Sequence, residues 1–234
     1  MSTPLVPSDL FRLVMVTDPQ IAPDARAIYF RRATLDRESD AAIGAIWRVD
    51  PSGRTAAFTS GRNDRSARIS PDGRTVAFIG DRDGATRIFA IATDGGEARA
   101  LATAYPKIAS LAWSPDGTRL AFVATAPHEP ATAKVFHDPV SGARHIRALP
   151  FKSDLDGLLD GTRKHLFVLD VASDAVERLT DGDFDVAAIS WSPDGTQIAF
   201  AAAIGHPEWS FASDIHVVDV ASNVRRTLTN GNGP

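Results

Sequence analysis

Ser114-Pro-Asp-Gly-Thr-Arg-Leu-Ala-Phe122 is the stretch whose reading decides the fold, because the chain repeats it. The other versions are Ala22-Pro-Asp-Ala-Arg-Ala-Ile-Tyr-Phe30, Ser70-Pro-Asp-Gly-Arg-Thr-Val-Ala-Phe78 and Ser192-Pro-Asp-Gly-Thr-Gln-Ile-Ala-Phe200. In chain order the four starts lie 48, 44 and 78 residues apart. Proline presets φ at the second turn position, aspartate bonds its own backbone, and glycine takes the left-handed conformation that closes the turn. Leu111 and Trp113 precede the quoted turn, and Leu120 and Phe122 follow it. Apolar residues alternating with period two on both sides of a tight turn predict two antiparallel strands.

Outward from each turn the pattern continues. Ile46-Trp-Arg-Val-Asp50, Arg87-Ile-Phe-Ala-Ile91, His165-Leu-Phe-Val-Leu-Asp170 and Asp214-Ile-His-Val-Val-Asp219 read as third strands. Fourth strands then end in a Leu-Thr-x-Gly-like close: Phe58-Thr-Ser-Gly61, Leu101-Ala-Thr-Ala104, Leu179-Thr-Asp-Gly182 and Leu228-Thr-Asn-Gly231. Four short antiparallel strands per repeat of this length are the mark of a β-propeller blade. The expected fold is all-β, a partial propeller with four blades of four strands. Blade one covers about residues 10–61, blade two about 65–104, blade three about 107–182 and blade four about 184–231. From turn aspartate to closing residue the blades span 34, 29, 63 and 34 residues, so blade three carries an insertion, about 126–163. Its prolines and glycines predict a loop-rich segment, and loops this long usually serve function. Ser8 to Met15 reads as one or two helical turns capped by Ser8 or Asp9.

Composition sets the outer bounds. The 234 residues include 44% hydrophobic and 23% charged, with no cysteine and a formal net charge of −4. That is ordinary globular usage, without the basic footprint of a nucleic-acid binder. The longest apolar run, Ile198 to Ile204, is seven residues, against about 20 for a membrane helix. No secretory signal is visible at the N-terminus, and a cytoplasmic protein is the expectation. Without cysteine there is no disulfide, thiolate metal site or cysteine nucleophile.

Together these residues resemble the N-terminal propeller of prolyl-oligopeptidase-family serine peptidases, in the acylaminoacyl-peptidase branch. The resemblance rests on the Asp9 to Asp24 opening, the Ser-Pro-Asp-Gly copies and the Asp94-Gly-Gly-Glu97 turn. It also rests on blade three, where Arg144-His-Ile-Arg147 leads through Phe151-Lys-Ser-Asp154 and Asp156-Gly157 to Lys164-His-Leu-Phe167. TolB-like propellers share the turn repeat, but the opening and the blade-three insertion favour the peptidase branch. The resemblance implies a partner, a C-terminal α/β-hydrolase domain carrying a Ser-Asp-His triad with its serine in Gly-x-Ser-x-Gly. No serine here has glycines two residues before and after it. The expectation is therefore a truncated propeller with no catalytic residue, cofactor or metal of its own, gating peptide access and docking the hydrolase domain. The alternatives are a stand-alone TolB-like interaction module and a closed four-bladed ring.

Within the chain, Arg144, Arg147, Asp154 and Asp156 in the insertion are the candidates for contact with a peptide substrate; Lys152 lies among them. An arginine fork suits a peptide carboxylate. His128, His137 and His206 each neighbour a carboxylate, yet lack ligand spacing and read as loop residues. Trp113 and Trp191 read as packing between blades. Asp24, Asp72, Asp116 and Asp194 recur in register, which argues for turn chemistry rather than catalysis. No nucleic acid or membrane partner is expected. A partial propeller would expose the apolar flanks of its end blades, so self-association into a homo-oligomer is expected.

Overall fold

Each of the four turns joins two antiparallel strands. The structure, a computed structural model, describes residues 6–101, 104–126, 135–137, 144–146, 152–153, 157–158, 162–205 and 212–229. Blade one is β1 (Val14–Ile21), β2 (Ile28–Asp36), β3 (Ala41–Val49) and β4 (Thr55–Ala57), and blade two is β5 (Arg65–Ile69), β6 (Thr75–Arg82), β7 (Ala85–Ala92) and β8 (Arg99–Leu101). Blade three opens with β9 (Ser110–Trp113) and β10 (Arg119–Ala126). Two short ladders follow, β11 (Val135–His137) with β12 (Arg144–Ile146), and β13 (Lys152–Ser153) with β14 (Gly157–Leu158). Then β15 (Arg163–Asp170) and β16 (Val176–Arg178) complete the blade. Blade four is β17 (Val186–Trp191), β18 (Gln197–Ala202), β19 (Asp214–Asp219) and β20 (Arg225–Thr227). Each blade is a four-stranded sheet whose paired strands are consecutive blade elements.

The turns repeat to the atom. Asp24, Asp72, Asp116 and Asp194 each accept the backbone N–H two residues on, at 2.9–3.0 Å. Gly73, Gly117 and Gly195 have φ of 73°, 71° and 70°, and Ala25 follows them into left-handed space at 57°. Ser70 and Ser192 also receive the N–H of Thr75 and Gln197 on their hydroxyls, at 2.9 and 3.0 Å. A second aspartate series closes the turns from third to fourth strand: Asp50, Asp170 and Asp219 hold Ser52, Ser173 and Ser222 by backbone N–H and hydroxyl. The first strands share an irregularity too, with register shifts at Thr17/Gln20, Arg65/Arg68 and Val186/Ile189.

The close of blades one, three and four has its own chemistry. Phe58, Leu179 and Leu228 donate their N–H to the carbonyls of Ile46, Leu166 and Ile215 at 2.8–2.9 Å. The following threonines, Thr59, Thr180 and Thr229, accept the N–H of those same three residues at 2.9–3.0 Å. Leu-Thr is thus a ladder extension that satisfies one third-strand residue twice.

One expectation needs correction. The N-terminal helix is a 3-10 helix over Pro7–Arg12, with Asp9 Oδ2 accepting the Val6 N–H, and Val14 and Met15 already belong to β1. Valines at 14 and 16 favour the pleated sheet over a second helical turn. Within the insertion, β-capable Val135-Phe-His137 pairs with Arg144-His-Ile146.

The chain forms two compact units. The first contains Met1–Tyr105, Asp116–Leu120 and Asp170–Ala175, and its core joins Tyr29 and Ile46 of blade one to Ala67, Val76, Phe78, Phe89 and Ile91 of blade two. The second contains Pro106–Pro115, Ala121–Leu169 and Val176–Pro234, and its core joins Ala121, Val123, Leu166 and Val168 to Ile198, Phe200 and Val218. Trp191 packs against this second core and donates its indole N–H to the Ala112 carbonyl of blade three at 3.1 Å.

Candidate functional site

Of the residues expected to meet a peptide, Arg144 begins β12 and sits opposite His137. Arg147, Asp154 and Asp156 lie outside the described residues. Lys152 begins β13 and is exposed. His137 ends a strand rather than a loop, whereas His128, His206 and Trp209 lie outside the described residues. The structure does not bring the insertion's charges into one described constellation.

It does bring together a cluster the sequence did not announce. At the β6 end of the first unit, the wholly buried Asp64 carboxylate faces Arg82 with two bonds, Nη1 to Oδ1 at 2.7 Å and Nη2 to Oδ2 at 3.1 Å. Gly61 donates its N–H to Asp64 Oδ2 at 2.9 Å, and the guanidinium lies 5.0 Å from the Phe89 ring centre. A Cβ at Gly61 would fall on both partners, and one at Gly80 would come within 2.8 Å of Asp64 Oδ1. Two glycines therefore make room for one ion pair. Beside it, Asp81 accepts from Asn63, from Thr86 Oγ1 at 2.8 Å and from Arg65 at 3.5 Å. Burial pushes the Asp81 carboxyl upward, but the bonds from Thr86 and Asn63 and the charge of Arg65 outweigh it and leave it below the usual range.

Arg82 also reaches a groove of about 460 Å³ in the same unit. Phe58, Phe78 and Ile91 give it an apolar floor, and Ser60, Arg82 and Glu97 add polar groups. Its lining is thus mixed, with polar groups as prominent as apolar ones. Asp64 does not line it; its carboxylate is taken up by Arg82 and the Gly61 N–H.

Two histidines do approach hydroxyls, with His165 Nδ1 at 3.2 Å from Thr180 Oγ1 and His216 Nδ1 at 3.1 Å from Thr227 Oγ1. Both rings are buried, and Thr180 Oγ1 already accepts the Leu166 N–H. His216 Nε2 lies 3.3 Å from the Ala202 carbonyl, which fixes the ring in the sheet rather than against a carboxylate. These contacts hold strands together. A nucleophile needs access as well as a base.

Comparison with solved structures places the architecture. The chain superimposes on uncomplexed acylaminoacyl peptidase from Pyrococcus horikoshii with a TM-score of 0.69 and 18% identity, covering 94% of this chain and 33% of that one. TolB from Acinetobacter baumannii gives 0.60 and 18% identity, covering 92% and 44%. The fold is a β-propeller. At this identity the propeller is all that these two structures share with the chain. In sequence, the propeller is 29% identical over 203 residues to the uncharacterized peptidase YuxL of Bacillus subtilis (strain 168), covering 83% of this chain and 30% of that protein. The resemblance to peptidase propellers read from the residues is thus met again in the curated relative. No family model matches the chain. The chain spans about a third of the curated relative and less than half of each of the two structures.

Proposed function

We propose that this propeller serves an acylaminoacyl-peptidase-like serine hydrolase in the cytoplasm, gating the access of peptides and docking an α/β-hydrolase domain without chemistry of its own. The observation that carries this reading is the sequence similarity to the B. subtilis peptidase, which extends over 83% of the chain. In this reading Arg144, Arg147, Asp154 and Asp156 contact the peptide, the arginines through its carboxylate. The test has two arms. The chain is mixed with a separately produced hydrolase domain of an acylaminoacyl peptidase, and a stable 1:1 complex in size-exclusion chromatography is expected. Short N-acetylated peptides are then titrated into the chain and into Arg147→Glu by calorimetry, with weaker binding expected for the variant. Absence of both complex and peptide binding overturns the proposal.

A TolB-like interaction module is the second reading, favoured by the structural likeness to TolB. It predicts no affinity for the hydrolase domain and none for acetylated peptides.

A further inference from the structure

Arginines line the seam between blades one and two, and one of them is left without a partner. Arg68 Nη1 bonds both oxygens of Asp18, at 3.0 and 2.9 Å. Arg82 bonds the Asp64 carboxylate twice. Arg65, the first residue of β5, gives Nη1 to the Asn63 carbonyl at 3.2 Å and reaches Asp81 at 3.5 Å, so both contacts use the same nitrogen. Arg48 bonds the Tyr29 hydroxyl, although its Nε is buried without an acceptor. Arg31 of β2 has neither hydrogen bond nor ion pair from its side chain among the described residues, and its Nε is buried without an acceptor.

The sheet explains why Arg31 stands there. Strand alternation puts it on the same face of β2 as Tyr29 and Ala33, and pairing sets Thr17 and Ile46 beside it. Tyr29, Ala33 and Ile46 are at most 1% exposed, and Tyr29 and Ile46 share a core with blade two. The stem of Arg31 is therefore held in the seam, half-buried. Strand β5 packs on β1, β2 and β3, and Arg65 at its start is close enough for its charge to act on Arg31. Burial first, and Arg65 second, lower the pKa of Arg31, yet a guanidinium stays ionised. The nearby carboxylates are engaged elsewhere, Asp18 by Arg68 and Asp81 by Thr86 and Asn63. A buried donor without an acceptor calls for a partner from outside the fold, and a charge in the seam is costly while it stays unpaired.

We propose that Arg31 and Arg65 form a binding site for an oxyanion, a carboxylate or a phosphate, in the seam between blades one and two. Guanidinium forks match the oxygen pairs of both groups, and such charge-assisted bonds are stronger than neutral ones. One oxyanion satisfies the Arg31 Nε and offsets the repulsion between the two arginines. Both arginines belong to one compact unit, in which the two blades that flank the seam are described. The inference stands apart from the peptidase reading, because it uses no residue of the insertion.

Titration of the isotope-labelled chain with sodium phosphate and, separately, sodium acetate tests it by nuclear magnetic resonance, with sodium chloride at matched ionic strength as the baseline. The Arg31 Nε–H signal, assigned by its loss in Arg31→Lys, is expected to move saturably with at least one of the two oxyanions and not with chloride. A response to phosphate alone supports a phosphate ligand, a response to acetate alone a carboxylate, and a response to both an oxyanion site that accepts either. By calorimetry, Arg31→Gln and Arg65→Gln are each expected to bind at least about tenfold more weakly, the equivalent of one charge-assisted bond. Arg54→Gln, at a side chain 85% exposed elsewhere in blade one, is expected to bind like the parent. Because the Arg31 guanidinium has no partner in the fold, its variants are expected to keep the parent's circular dichroism and urea midpoint. An Arg31 signal that follows chloride as closely as the oxyanions, or a folded Arg31→Gln variant with the parent's affinity, overturns the proposal.

Discussion

Ala25 holds a backbone conformation that its own side chain disfavours. Its φ is +57°, where the equivalent turns have Gly73, Gly117 and Gly195 at about +70°. A Cβ in that region costs about 1–2 kcal/mol, and glycine returns about 0.4–1 kcal/mol of that through the unfolded chain. Ala25→Gly is therefore expected to stabilise by about 0.5–1 kcal/mol, read as a higher denaturant midpoint at unchanged slope. Gly61 poses the opposite case. Its hydrogen stands where a methyl group would displace the Asp64–Arg82 pair. Gly61→Ala is expected to cost about 2 kcal/mol or more, since breaking a buried pair leaves Asp64 without compensation. Arg82 is partly exposed and water relieves some of that loss. Equilibrium urea unfolding reads both variants.

The elements most dependent on single side chains are the turns and closes. Serine hydroxyls hold the carboxyls of Asp50, Asp72 and Asp194 below the usual range, and the backbone N–H groups of Ser173 and Ser222 do so for Asp170 and Asp219. A depressed folded pKa gives stability that is fully present above the unfolded value, about 3.9, and lost as pH falls through the folded one. The urea midpoint is expected to be flat from neutrality to about pH 5 and to fall steeply below about pH 4. Asp194→Asn should reduce that acid slope. In the closes, Thr180→Val keeps the volume but leaves the buried Leu166 N–H without its threonine acceptor. A loss of about 1–3 kcal/mol is expected in thermal or urea unfolding.

For the whole molecule the chemistry of reaction is the issue. Without Gly-x-Ser-x-Gly, and with His165 and His216 buried against threonines, the chain presents no activated serine among its described residues. Incubation with a fluorophosphonate probe is expected to label no serine stoichiometrically, and acyl-alanine anilides should not turn over.

Sequence alone determined whatever depends on neighbours in the chain. Ser-Pro-Asp-Gly encodes a turn within four residues, alternation encodes which strand residues share a face, and an apolar residue followed by threonine marks the close of blades one, three and four; all are satisfied by bonds across one hairpin. Even the left-handed Ala25 was legible, because three glycines stand in its register. The Asp64–Arg82 pair was not, since its members lie 18 residues apart, one just before β5 and the other at the end of β6. Gly80 inside an otherwise bulky β6 was its one available signal, glycine in a strand often marking a close approach. Burial of His165 and His216 was equally hidden, because it depends on how the sheets pack. Equivalent positions in different blades show the limit most clearly. Ile46 and Ile215 occupy the same register, and Ile28 and Val76 share another, so local pattern treats them alike. Only tertiary packing decides which of them are covered, because burial comes from a neighbouring blade that no local window contains.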